Sequence, residues 1–432
     1  MRENPTVQAR FLLGPAGSGK TFSCLGEVRA ALAGASAGDP LVLLAPQQAT
    51  FQLDRPLLAD GGISGFTRLH VFSFDKLARY ILERLQVALP KMLSAEGRVM
   101  VLRALLLRHE NELKLFCQSA RRPGFAQELS LLLRELQEHQ FTPQKLRSLA
   151  ENKDFRAELR DKLNDLALLH ENYSRWLAES LLQDANCLLD FATNALDGKT
   201  LNSQLSTLNF AGLWLDGFAE MTPQELDFLA AIVPFCENVM LAFCLDESSS
   251  GTGVSPVSSN TDETPVPLPS SWLSIWSTIN KTFQQCRQRI ENLPDAKIEI
   301  ETLPRQPQKN RFATNPELAQ LEKGWTNPIP IRHPPSALSL NVCANPEAEA
   351  AFAAREILKF VRAGNRFRDC AILVRNLENY HQPLARIFRR YQIPFFLDRR
   401  ESVAHHPLAE LTRSALRTVA FDWPHDDWFA AL

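Results

Sequence analysis

Gly14-Pro15-Ala16-Gly17-Ser18-Gly19-Lys20-Thr21 fits the pattern G-x-x-x-x-G-K-[ST], and the rest of the chain is read outward from it. The apolar run Phe11 to Leu13 leads in, and Phe22 to Leu32 reads as a helix leading out. That strand–loop–helix setting is what a phosphate-binding loop requires. Glycines let the backbone close around phosphate oxygens with successive N–H groups pointing inward, and the helix N-terminus adds partial positive charge. Lys20 is expected to reach the β- and γ-phosphates of ATP, and the Thr21 hydroxyl to bind Mg²⁺.

Downstream, Leu41-Val42-Leu43-Leu44-Ala45 is a continuous apolar run ended by Pro46, as expected of a strand buried on both faces of a parallel sheet. Gln47 to Gln52 follows it. Ligands of open α/β sheets bind beyond the carboxyl ends of the strands, so Gln48 and Phe51 are candidates to touch a nucleotide or a nucleic-acid strand, an ordinary helix start being the alternative. His70 to Phe74 is a third strand candidate, leading into a helix over Asp75 to Leu85. Ser73 and a neighbouring phenylalanine would suit a nucleic-acid backbone and a base face, although a core strand explains at least one of the two aromatics.

From Ser94 to about Leu205 leucines recur at helical spacing, as in Leu129, Leu132, Leu133 and Leu136. The spacing predicts an all-helical insertion over 94–204 with about four or five helices. The sheet resumes at Phe210 to Asp216, an apolar strand ending in a carboxylate, which is how a phosphate-loop fold presents its second Mg²⁺ group. Val239 to Leu245 reads as another strand, 247–271 as a Ser/Thr/Gly/Pro-rich surface insertion, Trp272 to Leu293 as a helix and Ile298 to Leu303 as a strand. A second α/β unit is expected over 336–432, with strands at Leu338 to Cys343, Cys370 to Val374 and Ile393 to Phe396. The first unit would then comprise 1–93 and 205–335.

The net charge of −2 argues against bulk attraction to nucleic acid or anionic membrane and leaves room for a local basic groove. The 8 cysteines include no C-x-x-C, so neither a zinc site nor an iron–sulfur cluster is expected within this chain. Cysteines in apolar runs suit free thiols in a reducing compartment. With no signal-peptide pattern over Met1 to Arg10 and no run near the roughly 18 apolar residues of a bilayer span, a cytoplasmic protein without a membrane partner is expected.

Four blocks resemble superfamily 1 helicases of the UvrD type: FLLGPAGSGKT, then LVLLAPQQATFQ with HVFSFDKLARYIL, then LWLDGFAEMTPQEL, and CAILVRNLENYHQPLARIF followed by IPFFLDRRESVAHHPL. The strings PQQATFQ, LDGF with TPQE, and IPFFLDRRESVAHHPL are more closely similar to the AddB/RexB subunit family of the AddAB (RexAB) helicase–nucleases. The resemblance spans almost the whole chain, yet that family's members are much longer and carry a further helicase-like region and an iron–sulfur-stabilised nuclease. It therefore implies the N-terminal part of such a subunit: RecA-like P-loop NTPase lobes with parallel sheets, the helical insertion, and the start of a second RecA-like lobe. It further implies an AddA-type helicase–nuclease partner, and single- and double-stranded DNA ends as substrates in double-strand break repair by recombination.

Residue by residue, the resemblance maps phosphate and Mg²⁺ ligation onto Lys20 and Thr21, metal coordination onto Asp216, and a γ-phosphate arginine onto Arg375. Gln48, Phe51, Ser73 and Arg399 or Arg400 become the candidate DNA contacts. His405-His406 beside Pro407 reads as a helix start rather than a metal site. Active helicases of this type carry a glutamate after the metal-binding aspartate. Here Gly217 follows Asp216, and Glu220 is a weak substitute. ATP binding with weak or absent hydrolysis is therefore expected. A free-standing superfamily 1 translocase and a non-catalytic DNA-binding scaffold module are the alternatives.

Overall fold

The computed structural model describes residues 8–34, 37–47, 49–50, 53, 57, 65–122, 124–197, 208–246, 276–306, 308–324, 338–397, 406–423, 425 and 428–429. The chain divides into two units, Met1–Ala337 and Leu338–Leu432.

In the first unit, six strands form one sheet: β1 (Gln8–Leu13), β2 (Leu41–Leu44), β3 (Leu69–Phe72), then β6 (Gly212–Leu215), β7 (Val239–Phe243) and β8 (Lys297–Thr302). Their order is β3-β2-β6-β7-β1-β8, and every pairing is parallel. The apolar runs alternate between the two faces with the period of two that a pleated strand imposes. Phe11, Leu13, Val42, Leu44, Leu213, Leu215, Leu241 and Phe243 join one core. Leu12, Leu41, Leu43, Trp214, Met240 and Ala242 join the other. Each such side chain fully removed from water contributes about 1.5–3 kcal/mol, so a single polar residue in β2 or β7 would disturb one whole layer. Helix α1 (Lys20–Gly34) covers the second face through Cys24, Leu25 and Val28. The first face is covered by α2 (Phe74–Arg84), α7 (Leu188–Leu196), α8 (Pro223–Ile232) and α9 (Ser277–Glu291). Edge strand β8 carries Lys297, Glu299 and Glu301, charges that disfavour further strand pairing. Helix α10 (Pro316–Lys323) follows it in the chain.

The helical insertion is framed by a small parallel pair, β4 (Lys91–Leu93) and β5 (Leu182–Asp184). Between them run α3 (Ala95–Arg108), α4 (Phe125–Glu138), α5 (Pro143–Ala150) and α6 (Ala157–Glu179). Ser94 caps α3, accepting from Gly97 N, and Thr142 caps α5 ahead of Pro143. Leu102, Leu106, Leu129, Leu133, Leu166, Leu169 and Tyr173 form a core of their own. Asp165, 2% exposed, accepts the backbone N–H groups of Lys114, Leu115 and Phe116 at 3.0, 2.8 and 2.9 Å. Asp184 closes the frame. It pairs with buried Arg98 at 2.9 Å and accepts the Tyr173 hydroxyl at 2.9 Å. Helix α7, expected as part of the insertion, packs its Leu188, Leu189, Ala192 and Leu196 into the core of the large sheet.

The second unit holds α11 (Pro346–Arg362), α12 (His381–Arg390) and α13 (Pro407–Ala420). Ala350 and Ala354 of α11 pack against Leu384, Ile387 and Phe388 of α12. The three strands expected here do not form among the described residues: 338–343, 370–374 and 393–397 run without regular structure. A parallel strand is held by a hydrogen-bonded neighbour, and none of these segments has one. Leu340, Val342, Leu373 and Phe396 are correspondingly open to solvent, at 95%, 95%, 96% and 90% exposure.

Candidate nucleotide site

The site lies at the carboxyl ends of β1, β7 and β6, which are neighbours in that order. Leaving β1, the chain turns through Gly14 to Gly19. Gly17 and Gly19 hold φ of +76° and +99°, values that disfavour any residue with a Cβ. Ser18 N donates to Pro15 O at 3.2 Å, and Ser23 N to Gly19 O at 2.9 Å, starting α1. Lys20 folds over the loop and donates from Nζ to the carbonyls of Gly14 and Pro15 at 2.8 and 2.7 Å, with Ser18 Oγ at 3.4 Å.

Strand β6 ends at Leu215 and delivers Asp216 to the same place. Thr21 Oγ1 donates to Asp216 Oδ2 at 2.5 Å. Cys244, one residue past β7, lies between them in strand order and lines the same cleft. Burial lowers Lys20 below the ordinary lysine value. Cys244 and Asp216 offset this and the positive charge of Arg311 adds to it. Burial raises the Asp216 carboxyl, against the Thr21 hydrogen bond and the Lys20 charge. A half-buried lysine and carboxylate that each disfavour their charge are disposed to accept a charged ligand that compensates both.

Thr21 and Asp216 bring a hydroxyl and a carboxylate oxygen together beside the loop, the hard donor type Mg²⁺ takes, and with Lys20 they are the residues that would hold a Mg-nucleotide. Among the described residues no group of three His, Cys, Asp or Glu side chains is arranged to hold a metal on its own. When bound, the ion would neutralise phosphate charge.

The cleft has a volume of about 660 Å³ and is lined by residues 16–22, Asp216, Gly217 and Cys244, and also by Gln306, Lys309, Asn310 and Arg311. This last group was not anticipated from the sequence. A Cβ placed on Gly17 would stand 2.9 Å from Phe312 Cε2 and 3.4 Å from Arg311 Nε. One placed on Gly14 would stand 3.1 Å from the Leu303 carbonyl oxygen. The segment after β8 therefore lies across the phosphate loop. The available signal was the basic, aromatic string Lys309-Asn310-Arg311-Phe312 just before the Asn315-Pro316 start of α10.

Other sequence candidates fall elsewhere. Glu220 is exposed and is not among the residues lining the cleft. Ser73 is the N-cap residue of α2, without a side-chain capping bond. It follows β3, four strand spacings or about 19 Å from β1. Phe72 stacks on His70, and Phe74 is buried in the core. Arg375 is exposed and lies in the second unit. Gln48, Phe51, Arg399 and Arg400 lie outside the described residues. No helix among the described residues is long and apolar enough to cross a membrane.

Residues 11–322 match a family model described as "ADDB, N-terminal". Among curated proteins, an ATP-dependent helicase/deoxyribonuclease subunit of Natranaerobius thermophilus is 33% identical over 99% of this chain and 35% of its own length. The protein of the same name from Desulforudis audaxviator is 36% identical over 98% of this chain and 34% of its own. That from Bacillus thuringiensis is 30% identical over 98% and 34%. The chain thus spans about a third of the length of the relatives it matches. A model match over more than two thirds of the residues, with a phosphate loop and its aspartate inside the matched span, places the chain in the AddB N-terminal family.

Proposed function

We propose that this chain is the ATP-binding, DNA-contacting N-terminal part of a helicase–exonuclease subunit. It would act with an AddA-type partner in the cytoplasm to process DNA double-strand ends for recombinational repair. The observation that carries the nucleotide reading is the 2.5 Å contact between Thr21 Oγ1 and Asp216 Oδ2. Two residues 195 positions apart meet beside the phosphate loop, and a hydroxyl with a carboxylate is the donor pair expected to take Mg²⁺ beside a triphosphate. The relatives are each named as one subunit of an enzyme, which supports a role within a complex, and eight free thiols suit a reducing compartment. Hydrolysis by this site is weak or absent, because Gly217 stands where a water-orienting glutamate would be needed and Glu220 faces solvent.

Titration of the chain with a fluorescent ATP analogue and Mg²⁺ tests this. Saturable, Mg²⁺-dependent binding is expected, weakened at least about tenfold by Lys20→Ala, with phosphate release at background with or without DNA. A DNA-stimulated ATPase lost in Lys20→Ala would replace this reading with that of an autonomous motor. No saturable binding would leave a non-catalytic module.

A further inference from the structure

One side chain ties the segment between β8 and α10 to its neighbours. Leu303 extends the β8 ladder, its N–H donating to Leu13 O at 2.7 Å. Two residues on, Arg305 donates from Nε and Nη2 to the two carboxylate oxygens of Glu322, both at 2.8 Å, and from Nη1 to Asp246 Oδ2 at 3.0 Å. The three side chains are 22%, 13% and 21% exposed. Asp246 belongs to the stretch leaving β7, and Glu322 to the last turn of α10. One guanidinium therefore ties the exit of β8 to the exit of β7 and to the end of α10. Bidentate, partly dry pairs of this kind are the strong ones, and their planar fork fixes direction as well as distance.

What lies between the ends of this staple is the strap over the phosphate loop. It is turned by its own polar groups: Asn310 Oδ1 accepts from Phe312 N at 2.9 Å, and Asn315 Oδ1 accepts from Leu318 N at 3.3 Å at the start of α10. Its apex sets Phe312 and Arg311 against Gly17. Arg311 is exposed, and among the described residues its guanidinium lies over the Phe312 ring, 5.2 Å from the centroid. Its placement therefore depends on the backbone that Arg305 anchors.

We propose that Arg305 is a positioning residue for nucleotide binding, holding residues 308–315 across the phosphate loop so that Arg311 is presented to the phosphate chain of ATP. This rests on the nucleotide reading above and assigns a part of that site carried by neither the loop nor Asp216.

The test is a double-mutant cycle on the full chain, read as affinity for the fluorescent ATP analogue with Mg²⁺. Arg311→Ala and Arg305→Ala are each expected to weaken binding about tenfold. The double variant should be within about twofold of either single one, because both remove the same contact. Arg305→Lys should recover little, since an ammonium cannot reproduce the fork. If Arg305→Ala does not fold by circular dichroism, the cycle is run with Glu322→Gln, which frees the same guanidinium from the other side. Losses that multiply to about a hundredfold, or full affinity in a folded Arg305→Ala chain, overturn the positioning role while leaving the nucleotide site standing. Failure of the unaltered chain to bind the analogue removes both.

Discussion

On the proposed reading, Gly217 stands where a water-orienting glutamate would be needed, and its backbone suits glycine. Its φ is +87°, and a Cβ there would lie 3.3 Å from Pro46 Cδ. A glutamate at this position would start from a left-handed backbone costing roughly 1–2 kcal/mol, pressed against a proline ring. The missing carboxylate is therefore more than an omitted side chain, because the peptide has taken a conformation suited to glycine. Gly217→Glu is expected to lower the thermal midpoint by a few degrees and to leave phosphate release at background. An ATPase gained without loss of stability would show that the backbone still holds motor geometry. At this scale the sequence marked Lys20 and Thr21 by a local pattern and Asp216 by its place at the end of an apolar strand, and the fold brings Thr21 and Asp216 together. The sequence was silent on Arg305 and Arg311. Their nearness to the loop comes from β8 lying beside β1 with Leu13 opposite Thr302, a long-range register that no local spacing encodes.

Among the elements, those whose partners lie close in sequence or in a complete layer were the ones legible beforehand. The leucine spacing of the insertion specified helices because each apolar stripe closes on a neighbouring helix, α5 and α6 among them. The runs at 338–343, 370–374 and 393–397 have strand composition, but composition supplies only one side of a ladder, and no strand forms there among the described residues. What the leucine pattern did not reveal is the polar anchor inside the insertion. Asp165, on α6, receives three consecutive backbone N–H groups from the segment after α3, at 2.8–3.0 Å. These donors have no helix of their own to bond within, so a buried carboxylate serves as their cap. Asp165→Ala is expected to destabilise the insertion by about 3 kcal/mol, measured as a lowered urea midpoint with an unchanged slope. Asp165→Asn, which keeps one acceptor, should lose less. Equal midpoints for the Ala variant and the unaltered chain would mean that water satisfies these donors and that Leu113 and Phe116 hold the segment by packing alone.

For the whole molecule, the question is which unit carries the nucleotide site. The phosphate loop, Asp216, Cys244, Arg305 and Arg311 all belong to Met1–Ala337, and so does the family match over 11–322. The resemblance had assigned a γ-phosphate arginine to Arg375, in the second unit. The first unit has a cation of its own at the loop, Arg311, in the segment whose Arg305 pairs with Asp246 and Glu322. If Arg311 supplies the positive charge the phosphate chain needs, the second unit is dispensable for binding. A chain ending at Ala337 should then bind the fluorescent ATP analogue within about threefold of the full chain, a difference under about 0.7 kcal/mol, and Arg375→Ala in the full chain should have no larger effect. If instead the nucleotide is shared between the two units, both changes should weaken binding about tenfold or more, since each removes a charge-assisted contact to phosphate. Agreement between the truncation and the point variant matters in either direction. A loss on truncation without a loss in Arg375→Ala would assign the second unit a contact from some other residue.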